Sequence, residues 1–578
     1  MKTRTATNHW RPLRVALAGL IALACLAIIL ASAFPGAARG NVQAAAADHT
    51  VLEAGRAKID PLVLAELQEH GQSDFFIWLK EKADLKPAYR LQTKQEKGRF
   101  VFAQLQETAN RTQRKLRAEL DAQGVDYRPY YIANKILIRG GTQDLALQLA
   151  QRPEVEQLSP NLTFYLDEPL LEETDSVGTV AVEPNLAFVN ADDVWALGYF
   201  GQGVVLAAND TGFDWTHPAL IEHYRGWDGT TADHNYNWWD ATGTYPDAPW
   251  DGNSHGTFVT SILVGEAGEA NRVGMAPGAQ VIHCKMWGDD RSVTIDLMTE
   301  CLEWDLAPWD LNGENPNPDM APDAVNNSWG WYGGFLGLED ETAALTADGI
   351  FVGAVAGTVG PSCSSMAAPG EYPQVLGVGA VDHASGILPG QLMSLSGRGP
   401  LDRAPDGSLP AVLAPGGRIR SCYPGGAYRT DEGWTSGATP HAVGLAGLIW
   451  SANPALQGKV AETMRIIRDT AAPLTGQRGS SCGGDYLYGP NNDWGAGTID
   501  ALAAVQRALE YEGSGTLSGL VQEAGSGAPI WGATLQATLA DGLVWRSFTD
   551  ASGEYVRSTF SGVYDLTAYA YGYQPQVV

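Results

Sequence analysis

The sequence predicts an α/β protein in which a parallel sheet covered by helices on both faces follows a small α/β unit and precedes a β-sandwich. Three observations lead to this fold class. Short apolar runs separated by helical or loop segments recur from residue 204 onward, and such runs are typical of strands buried in a parallel sheet. Strand-like and helix-like stretches alternate over residues 74–166. Beyond residue 516, polar and apolar residues alternate between turn signals.

Composition bounds the class of protein. The chain has 578 residues, of which 44% are hydrophobic and 18% charged, so it can bury a sizeable core and is not disordered as a whole. At about 150 residues per domain, this length indicates three or four units. The formal net charge is −28. Because binding to phosphates needs clustered Lys and Arg, we expect no nucleic acid partner and interpret the acidity as an aid to solubility.

Residues 1–47 are predicted to be a signal peptide or N-terminal anchor. Four basic residues, Lys2, Arg4, Arg11 and Arg14, precede an uncharged apolar run from Val15 to Ala33. Ala31-Ser32-Ala33 is typical of a signal-peptide cleavage site. We therefore expect a secreted, extracellular or cell-surface protein. In the alternative, the run stays uncleaved and spans a membrane, which is the one case in which a membrane is a partner.

Residues 74–166 are predicted to form the small α/β unit, with its helices on one face of a sheet. Its predicted order is a strand at Phe75–Leu79, a helix within Leu91–Gln123, a strand at Tyr130–Ile138, a helix capped by Thr142 and running through Arg152, and a strand at Val155–Phe164. Residues 169–184 are acidic and lack apolar periodicity. They are interpreted as an exposed connector suited to proteolysis.

Residues 185–510 are predicted to hold the parallel sheet. Its strands are expected at Val204–Ala208, Val281–Met286, Ala324–Ser328, Ile350–Ala356 and Val375–Val381. Glu512 to Gly515 is interpreted as a linker, and residues 516–578 as the β-sandwich, with a turn at Asp550 to Gly553. The part after the signal holds Cys284, Cys301, Cys363, Cys422 and Cys482. This odd number allows at most two disulfides and one free thiol, and the pairing stays open.

Three short motifs carry the candidate chemistry. Asp210 lies in Asn-Asp-Thr-Gly directly after a buried strand, where open α/β sheets build their sites. His255 lies in Ser-His-Gly-Thr before an apolar helix, and Ser436 lies in Thr-Ser-Gly-Ala at the start of another helix. A serine hydroxyl needs a nearby base, a histidine can act as that base, and a buried carboxylate can orient the histidine. The three residues together predict nucleophilic catalysis by serine, whereas each alone is an ordinary turn, structural or capping residue.

Several further segments, in order along residues 191–507, resemble the subtilase family of serine proteases. They are Asp210-Thr-Gly with His217-Pro218, Asp251 to Val259, Gly274 to Gly278, Asn327 to Gly330, and the segment around Ser436. Pro361-Ser-Cys363, Tyr372-Pro373 and Gly377 to Ala380 are similar to bacillopeptidase F-like members. The resemblance implies a subtilisin-like α/β fold and a catalytic triad of Asp210, His255 and Ser436.

The resemblance also implies roles for other residues. Ser328, Trp329, Gly330, Ala356, Gly357 and Ala367 would bind substrate. The family's oxyanion asparagine is replaced by Thr358, and the usual residues around the nucleophile are replaced by Trp434 and Gly437. Thr358 and Thr435 are therefore the candidate oxyanion donors, and slow turnover is expected. Residues 74–166 resemble the family's inhibitory propeptide, and residues 516–578 resemble a carboxypeptidase regulatory-like module.

No cofactor is required for this chemistry, and no catalytic metal is expected. A structural calcium ion is the alternative interpretation of five acidic residues, Asp228, Asp233, Asp240, Asp247 and Asp251, whose spacing matches no defined calcium loop. We prefer solvated acidic loops for these residues. The expected partners are protein or peptide substrates and the chain's own propeptide.

Three functions remain open at this point. In the first, the protein is a secreted serine endopeptidase made as a zymogen. In the second, it is a catalytically degraded subtilase that binds peptides or partners at the surface, an alternative that Thr358 and Trp434 favour. In the third, which is less well supported, it is an adhesion protein in which the β-module matters most.

Overall fold

A computed structural model describes residues 55–166, 182–335, 337–384, 390–400, 410–474, 482–486, 490–511, 513–539, 544–560 and 563–577. The predicted signal segment, and residues 169–181 of the predicted connector, lie outside these described residues. No helix in the described ranges is long and apolar enough to cross a membrane.

The N-terminal unit is a four-stranded antiparallel sheet with helices on one face. Its elements are α1 (Pro61–His70), β1 (Gln72–Leu79), α2 (Lys94–Gln123), β2 (Tyr127–Tyr130), β3 (Lys135–Thr142), α3 (Gln143–Ala150), β4 (Val155–Pro160) and β5 (Thr163–Tyr165). The sheet order is β2-β3-β1-β4. Phe75 and Ile77 face the helices, and Phe76 and Trp78 on the same strand pack against the next unit.

Two predictions for this unit are wrong in detail. The alternating stretch Tyr130–Ile138 is a hairpin rather than one strand, because the chain turns between β2 and β3 with Asn134 at a φ of 49°. The last strand was predicted over Val155–Phe164, but β5 leaves the sheet and pairs with a strand of the next unit. Thr142 caps α3 as predicted, since its hydroxyl accepts from the Leu145 N–H.

The central unit is the predicted α/β domain. Its elements as far as β10 are α4 (Pro184–Phe188), α5 (Ala191–Ala196), β6 (Val205–Asp210), β7 (Trp238–Asp240), α6 (His255–Val264), β8 (Gln280–Lys285), β9 (Ser292–Thr294), α7 (Ile295–Leu306) and β10 (Ala324–Asn327). The remaining ones are β11 (Trp331–Tyr332), α8 (Glu339–Asp348), β12 (Phe351–Val355), β13 (Ala367–Ala368), β14 (Leu376–Asp382), β15 (Gln391–Leu392), β16 (Val412–Pro415), β17 (Arg418–Tyr423), β18 (Ala427–Glu432), α9 (Trp434–Ala452), α10 (Val460–Asp469) and α11 (Ala501–Leu509).

The main sheet has the order β15-β14-β12-β10-β6-β8-β7, with β16 also paired to β14. All of these pairings are parallel except the one between β14 and β15. Alternate strand residues enter two separate cores: Leu206 packs with α9 on one face, while Ala207 packs with α7 and α8 on the other. The prediction of a parallel sheet with helices on both faces is confirmed.

The C-terminal unit is β-rich. It contains β19 (Ser514–Leu520), β20 (Thr534–Leu539), β21 (Val544–Phe548), β22 (Glu554–Phe560), β23 (Tyr564–Tyr569) and β24 (Gln576–Val577). β19 pairs with β22, and the other four form a sheet of order β21-β20-β23-β24. Leu517 of the first sheet packs against Ala537 of the second, as expected of a sandwich. Ser514 and Gly515, assigned to a linker from the sequence, instead begin β19.

Candidate active site

Asp210 ends the central strand β6 and is fully buried. Its Oδ1 accepts a hydrogen bond from the Thr211 N–H at 2.8 Å and lies 2.7 Å from His255 Nδ1. A carboxylate only accepts hydrogen bonds, so this contact places the imidazole proton on Nδ1 and turns Nε2 into the basic nitrogen. His283 on the adjacent strand β8 is also buried, and burial lowers the pKa of its imidazole to about 3, so it stays neutral beside Asp210.

His255 is the first residue of α6. The Asp251 carboxylate accepts hydrogen bonds that stabilise the loop before this helix. Asp251 Oδ1 accepts the Ser254 N–H at 2.9 Å and the Thr211 hydroxyl at 2.9 Å, and Oδ2 accepts the Thr257 N–H at 2.9 Å. The Asp251 carboxylate therefore ties the histidine motif to the aspartate motif. The sequence analysis placed Asp251 at the start of the histidine motif and weighed it as a calcium ligand or a solvated acidic residue, but it did not predict this structural role.

Two glycines let the aspartate and histidine motifs approach each other. A Cβ on Gly256 would lie 1.9 Å from the Gly212 carbonyl oxygen, and a Cβ on Gly212 would lie 1.9 Å from the Trp250 carbonyl oxygen. Gly212 lies two residues after Asp210 and Gly256 directly follows His255, so relieving either clash would shift backbone next to a catalytic candidate. The Thr-Gly and His-Gly pairs in the sequence are therefore steric requirements for the contact between the two catalytic candidates.

Ser436 lies in the first turn of α9 and is 1% exposed. Its Oγ donates to the Ser328 carbonyl at 2.9 Å, and the Ser328 Oγ donates to the Ser436 carbonyl at 2.8 Å. In an unbroken helix that carbonyl would accept the N–H four residues later, but that residue is Pro440, which has none. The nucleophile candidate and the predicted substrate strand are thus joined by a reciprocal pair of hydrogen bonds.

The two candidate oxyanion donors lie on different elements. Thr358 follows β12 and Gly357, whose φ is 94°, and its side chain is partly buried. Thr435 is fully buried, and its hydroxyl has no hydrogen-bond partner within the described part of the chain. As the residue before Ser436, it holds a buried donor close to the nucleophile without any competing acceptor among those residues.

Four of the six residues predicted to bind substrate, Gly330, Ala356, Gly357 and Ala367, lie together. A Cβ on Gly357 would come within 2.8 Å of the Ala367 Cβ, and a Cβ on Gly330 would lie 3.1 Å from the same atom. The Ala367 N–H donates to the Ala356 carbonyl at 2.9 Å. Trp329 is turned away from these contacts, because its indole donates to the Asn209 carbonyl at 2.9 Å in the core. The wall formed by Gly330, Ala356, Gly357 and Ala367 is uncharged.

The acidic residues that were considered as calcium ligands do not form a metal-binding group in the described part of the chain. Among the described residues, no group of three or more His, Cys, Asp and Glu side chains is placed to hold a metal ion. Asp228, Asp233 and Asp240 instead accept hydrogen bonds from nearby N–H groups in their own loops. Asp228 and Asp233 are exposed, as expected of solvated acidic turns, whereas Asp240 and Asp251 are buried.

Strand β9 connects the central unit to the N-terminal unit. It pairs antiparallel with β5 of the N-terminal unit, with Phe164 opposite Val293, and the Leu166 N–H donates to the Arg291 carbonyl at 3.0 Å. The disulfide Cys284–Cys301 joins β8 to α7 and encloses β9 in its loop. A second disulfide joins Cys363 and Cys482, and Cys422 is a buried free thiol.

Removing the Cys284–Cys301 disulfide should destabilise the segment that carries β9. The cysteines are 17 residues apart, and closing a loop of that length stabilises a fold by about 3 kcal/mol in the chain-entropy description. In a Ser436→Ala background, which prevents self-digestion, the double change Cys284→Ala/Cys301→Ala is expected to lower Tm by several degrees. Thermal unfolding followed by circular dichroism measures this shift, and an unchanged Tm would contradict the prediction.

A buried carboxylate–imidazole pair at the carboxyl end of a parallel strand, with a serine in the first turn of a separate helix, is the set of groups found in serine hydrolases. Comparison with known proteins gives the family: the subtilase family matches residues 201–499. The chain belongs to the subtilase family. Residues 516–578 match the carboxypeptidase regulatory-like domain.

Individual relatives agree with this assignment. Bacillopeptidase F of Bacillus subtilis (strain 168) is 35% identical over 472 residues, which are 77% of this chain and 31% of that protein. Subtilisin of Bacillus pumilus is 29% identical over 328 residues, which are 56% of this chain and 99% of that protein. This chain thus spans about a third of the length of bacillopeptidase F. These relatives are serine endopeptidases.

A solved structure shares the fold. The crystal structure of fervidolysin from Fervidobacterium pennivorans, described as a keratinolytic enzyme related to subtilisin, matches with a TM-score of 0.53. The match covers 86% of this chain and 70% of that chain at 18% identity. At this identity the match shows the fold alone.

Proposed function

We propose that the protein is a secreted serine endopeptidase, made as a zymogen, that hydrolyses peptide bonds through an acyl-enzyme on Ser436. The observation that carries this proposal is the buried contact of 2.7 Å between His255 Nδ1 and Asp210 Oδ1, together with Ser436 in the first turn of α9. The apolar N-terminal run and the two disulfides support export.

In the proposed reaction, the Ser436 hydroxyl first exchanges its hydrogen bond to the Ser328 carbonyl for one to His255 Nε2. His255 Nε2 takes the proton of the Ser436 hydroxyl as the oxygen attacks the substrate carbonyl, and it later gives that proton to the leaving amine. Asp210 stabilises the imidazolium that forms in between. The N–H of Ser436, in the first turn of α9, stabilises the negative oxygen of the tetrahedral intermediate together with the Thr435 hydroxyl. Water then hydrolyses the acyl-enzyme, with His255 again acting as the base.

Labelling by a fluorophosphonate probe tests this function directly. The probe should react with Ser436 in the mature protein and fail to react in His255→Ala, because without a base the hydroxyl is a weak nucleophile. Peptide mapping identifies the labelled residue. If a folded, mature protein is labelled no faster than His255→Ala, the degraded, peptide-binding subtilase becomes the better description. The replacement of the oxyanion asparagine by Thr358 would agree with that alternative.

Large apolar residues are expected before the cleaved bond, since the uncharged wall of Gly330, Ala356, Gly357 and Ala367 offers no partner for a charge. Digestion of a peptide library would show this preference. Cleavage dominated by Arg, Lys or Asp at that position would reject it.

The contacts of the N-terminal unit support its role as an inhibitory propeptide. β5 pairs antiparallel with β9 of the central unit. Six ion pairs in the described residues join this unit to the central one, and in each the cation belongs to the N-terminal unit: Lys82–Asp340, Lys94–Asp323, Arg99–Asp319, Arg128–Glu300, Lys135–Glu341 and Arg139–Asp296. The interface is therefore complementary in charge. On this proposal, the precursor cuts itself and Ser436→Ala does not.

Among these pairs, Lys135–Glu341 should matter most. Both side chains are fully buried, and the Lys135 Nζ lies 4.5 Å from the centre of the Phe76 ring. Glu341→Gln leaves this ammonium group buried without a counter-charge, and we expect the N-terminal piece to bind about 10–100-fold more weakly. Asp319→Asn is the matched control, because the Arg99–Asp319 pair is exposed and such pairs contribute at most about 1 kcal/mol.

The measurement uses the full Ser436→Ala precursor, nicked in residues 167–181 by an added protease. Dilution followed by gel filtration then gives the affinity between the two pieces. Equal effects of Glu341→Gln and Asp319→Asn would show that the buried pair has no special part in holding the N-terminal unit.

A further inference from the structure

Behind Asp210 lies a buried polar cluster that the proposed chemistry does not use. It consists of Asn209, which precedes Asp210 in β6, Asp305 in the last turn of α7, and Asn327 and Trp329, which flank Ser328. The side chains of Asn209, Asp305 and Asn327 are inaccessible to solvent, and Trp329 is 2% exposed. Buried polar groups in such a core need hydrogen-bond partners, and the partners found here connect three elements of the site.

Asn209 is the centre of the cluster. Its amide Nδ2 donates to Asp305 Oδ2 at 2.7 Å and lies 3.3 Å from Asn327 Oδ1, and its carbonyl accepts the Trp329 indole N–H at 2.9 Å. These bonds join the strand that ends in Asp210 to helix α7 and to the segment that follows β10. The same segment holds Ser436 through the Ser328 hydroxyl.

Asp305 is unusual in this cluster because no cation accompanies it. Asn209 is its one hydrogen-bond partner in the described part of the chain, and the Oδ1 atoms of both residues are buried there without partners. A carboxylate in this position would be an uncompensated buried charge. A protonated carboxyl group is neutral and has an O–H, so protonation removes the uncompensated charge and gives Asp305 a donor.

The charged groups on neighbouring elements described here have partners other than Asp305. Asp210 on β6 contacts His255, and Lys285 on β8 donates to the Thr211 carbonyl and to Asp289. On α7 itself, the Glu303 carboxylate accepts two backbone N–H groups of the N-terminal unit. Segment 324–327 of β10 contains no titratable residue. Burial accordingly raises the pKa of the Asp305 carboxyl to about 8.

We propose that Asp305 is a positioning residue that acts as a neutral carboxylic acid, clamping Asn209 and so aligning the strand end that carries Asp210 with the segment that carries Ser328. This role rests on the proposed peptidase function for its kinetic part only. The alignment itself is a property of the fold and has its own readout in stability.

The pH dependence has a definite sign. The pKa of Asp305 is higher in the folded protein than in the unfolded chain, where an aspartate has a value of about 3.9. Its contribution to stability is therefore fully present below about pH 4 and is lost as the pH rises to about 8. Within this window the unfolding equilibrium constant should rise up to tenfold per pH unit relative to a variant that cannot ionise.

The experiment compares the parent with Asp305→Asn, which keeps a hydrogen-bonding amide, and Asp305→Leu, which cannot bond to Asn209. For the mature enzyme, kcat and KM are measured on one peptide between pH 6 and pH 10. Asp305→Leu should lower kcat/KM about tenfold at pH 7, and Asp305→Asn should recover most of that loss. The parent should lose activity reversibly above about pH 8, and this alkaline loss should be absent in Asp305→Asn.

Unfolding in urea between pH 4 and pH 9, on full-length Ser436→Ala precursors with and without Asp305→Asn, provides the second readout. The ratio of their unfolding constants should change with pH as given above. A pH-independent ratio, or the same alkaline loss of activity in the parent and Asp305→Asn, would overturn the proposal. If the parent has no activity at all, the peptidase assignment fails, whereas the unfolding experiment still decides whether Asp305 is neutral.

Discussion

Replacing Asp210 by asparagine is expected to lower kcat by about 10⁴-fold with little change in KM. This magnitude is carried over from another serine protease, in which the exchange leaves the geometry intact and costs about 10⁴ in kcat. The loss should fall on kcat because the imidazolium that Asp210 stabilises exists only during the reaction. Steady-state kinetics on one peptide substrate measure both constants.

The contacts of Asp210 explain why so small a change has so large an effect. Its Oδ1 accepts from both the Thr211 N–H and His255 Nδ1, and its buried Oδ2 has no partner within the described residues. An asparagine that turned its NH₂ toward His255 would force the imidazole proton onto Nε2, the nitrogen that must act as the base. With Oδ1 kept in place it would still lack the charge that stabilises the imidazolium.

Asp289→Asn is the matched control for the Asp210 change. Asp289 is also an acidic residue near the site, but it contacts Lys285 and Tyr245 rather than His255. We expect kcat to change less than about fivefold, because Asp289 is 36% exposed and the buried Lys285 keeps its hydrogen bonds to the Thr211 and Trp287 carbonyls. A comparable loss in both variants would show that loop structure, and not the carboxylate at Asp210, limits the rate.

The elements that local patterns predict well are the strands of the central sheet. Apolar runs such as Val204–Ala208 and Ile350–Ala356 correspond to β6 and β12 within two residues at each end. Such strands are buried on both faces and carry few polar residues, so their composition alone distinguishes them. The position of Asp210 at a strand end followed from the same pattern.

The predictions that were wrong concern places where a short turn or a partner distant in the chain determines the structure. The turn between β2 and β3 depends on Asn134 in a left-handed conformation. The alternating apolar pattern of this stretch predicts a continuous strand and gives no sign of the turn. Helix α1 was missed although Asp60 caps it and Gly71 ends it. These signals flank only ten residues, and the predicted unit was taken to begin at 74.

The polar groups around the site were the least accessible to sequence reasoning. Lys135 and Glu341 lie far apart in the chain, and the sequence around either residue does not predict that the two are buried together. The same holds for Asn209 and Asp305. A buried polar residue is defined by its partner, and that partner appears only when the chain has folded.

The resemblance to the subtilase family implies that Thr358 takes the place of the oxyanion asparagine, and on this proposal Thr358→Asn should raise kcat. The tetrahedral intermediate places negative charge on the former carbonyl oxygen, and relatives offer an asparagine amide there. Thr358 has a shorter side chain and follows Gly357, whose φ is 94°, on the loop after β12. The Ser436 N–H and the buried Thr435 hydroxyl remain as donors, so we expect a slow enzyme rather than an inactive one.

The size of the gain is estimated from subtilisin, a member of the same family, in which loss of this asparagine costs about 10²–10³ in kcat, or roughly 2.7–4 kcal/mol. Thr358→Asn should recover part of that factor with little change in KM, because the bond to the oxyanion forms only in the transition state.

Thr358→Val is the matched control: it keeps the shape, removes the hydroxyl, and lowers kcat only if that hydroxyl is already a donor. Both constants are measured on one peptide for the three proteins, with folding checked by thermal unfolding. A well-folded Thr358→Asn variant whose kcat is unchanged or lower would show that a missing donor does not limit the rate, and Trp434, which begins α9 at a φ of 46° beside the nucleophile, would then be the residue to change next.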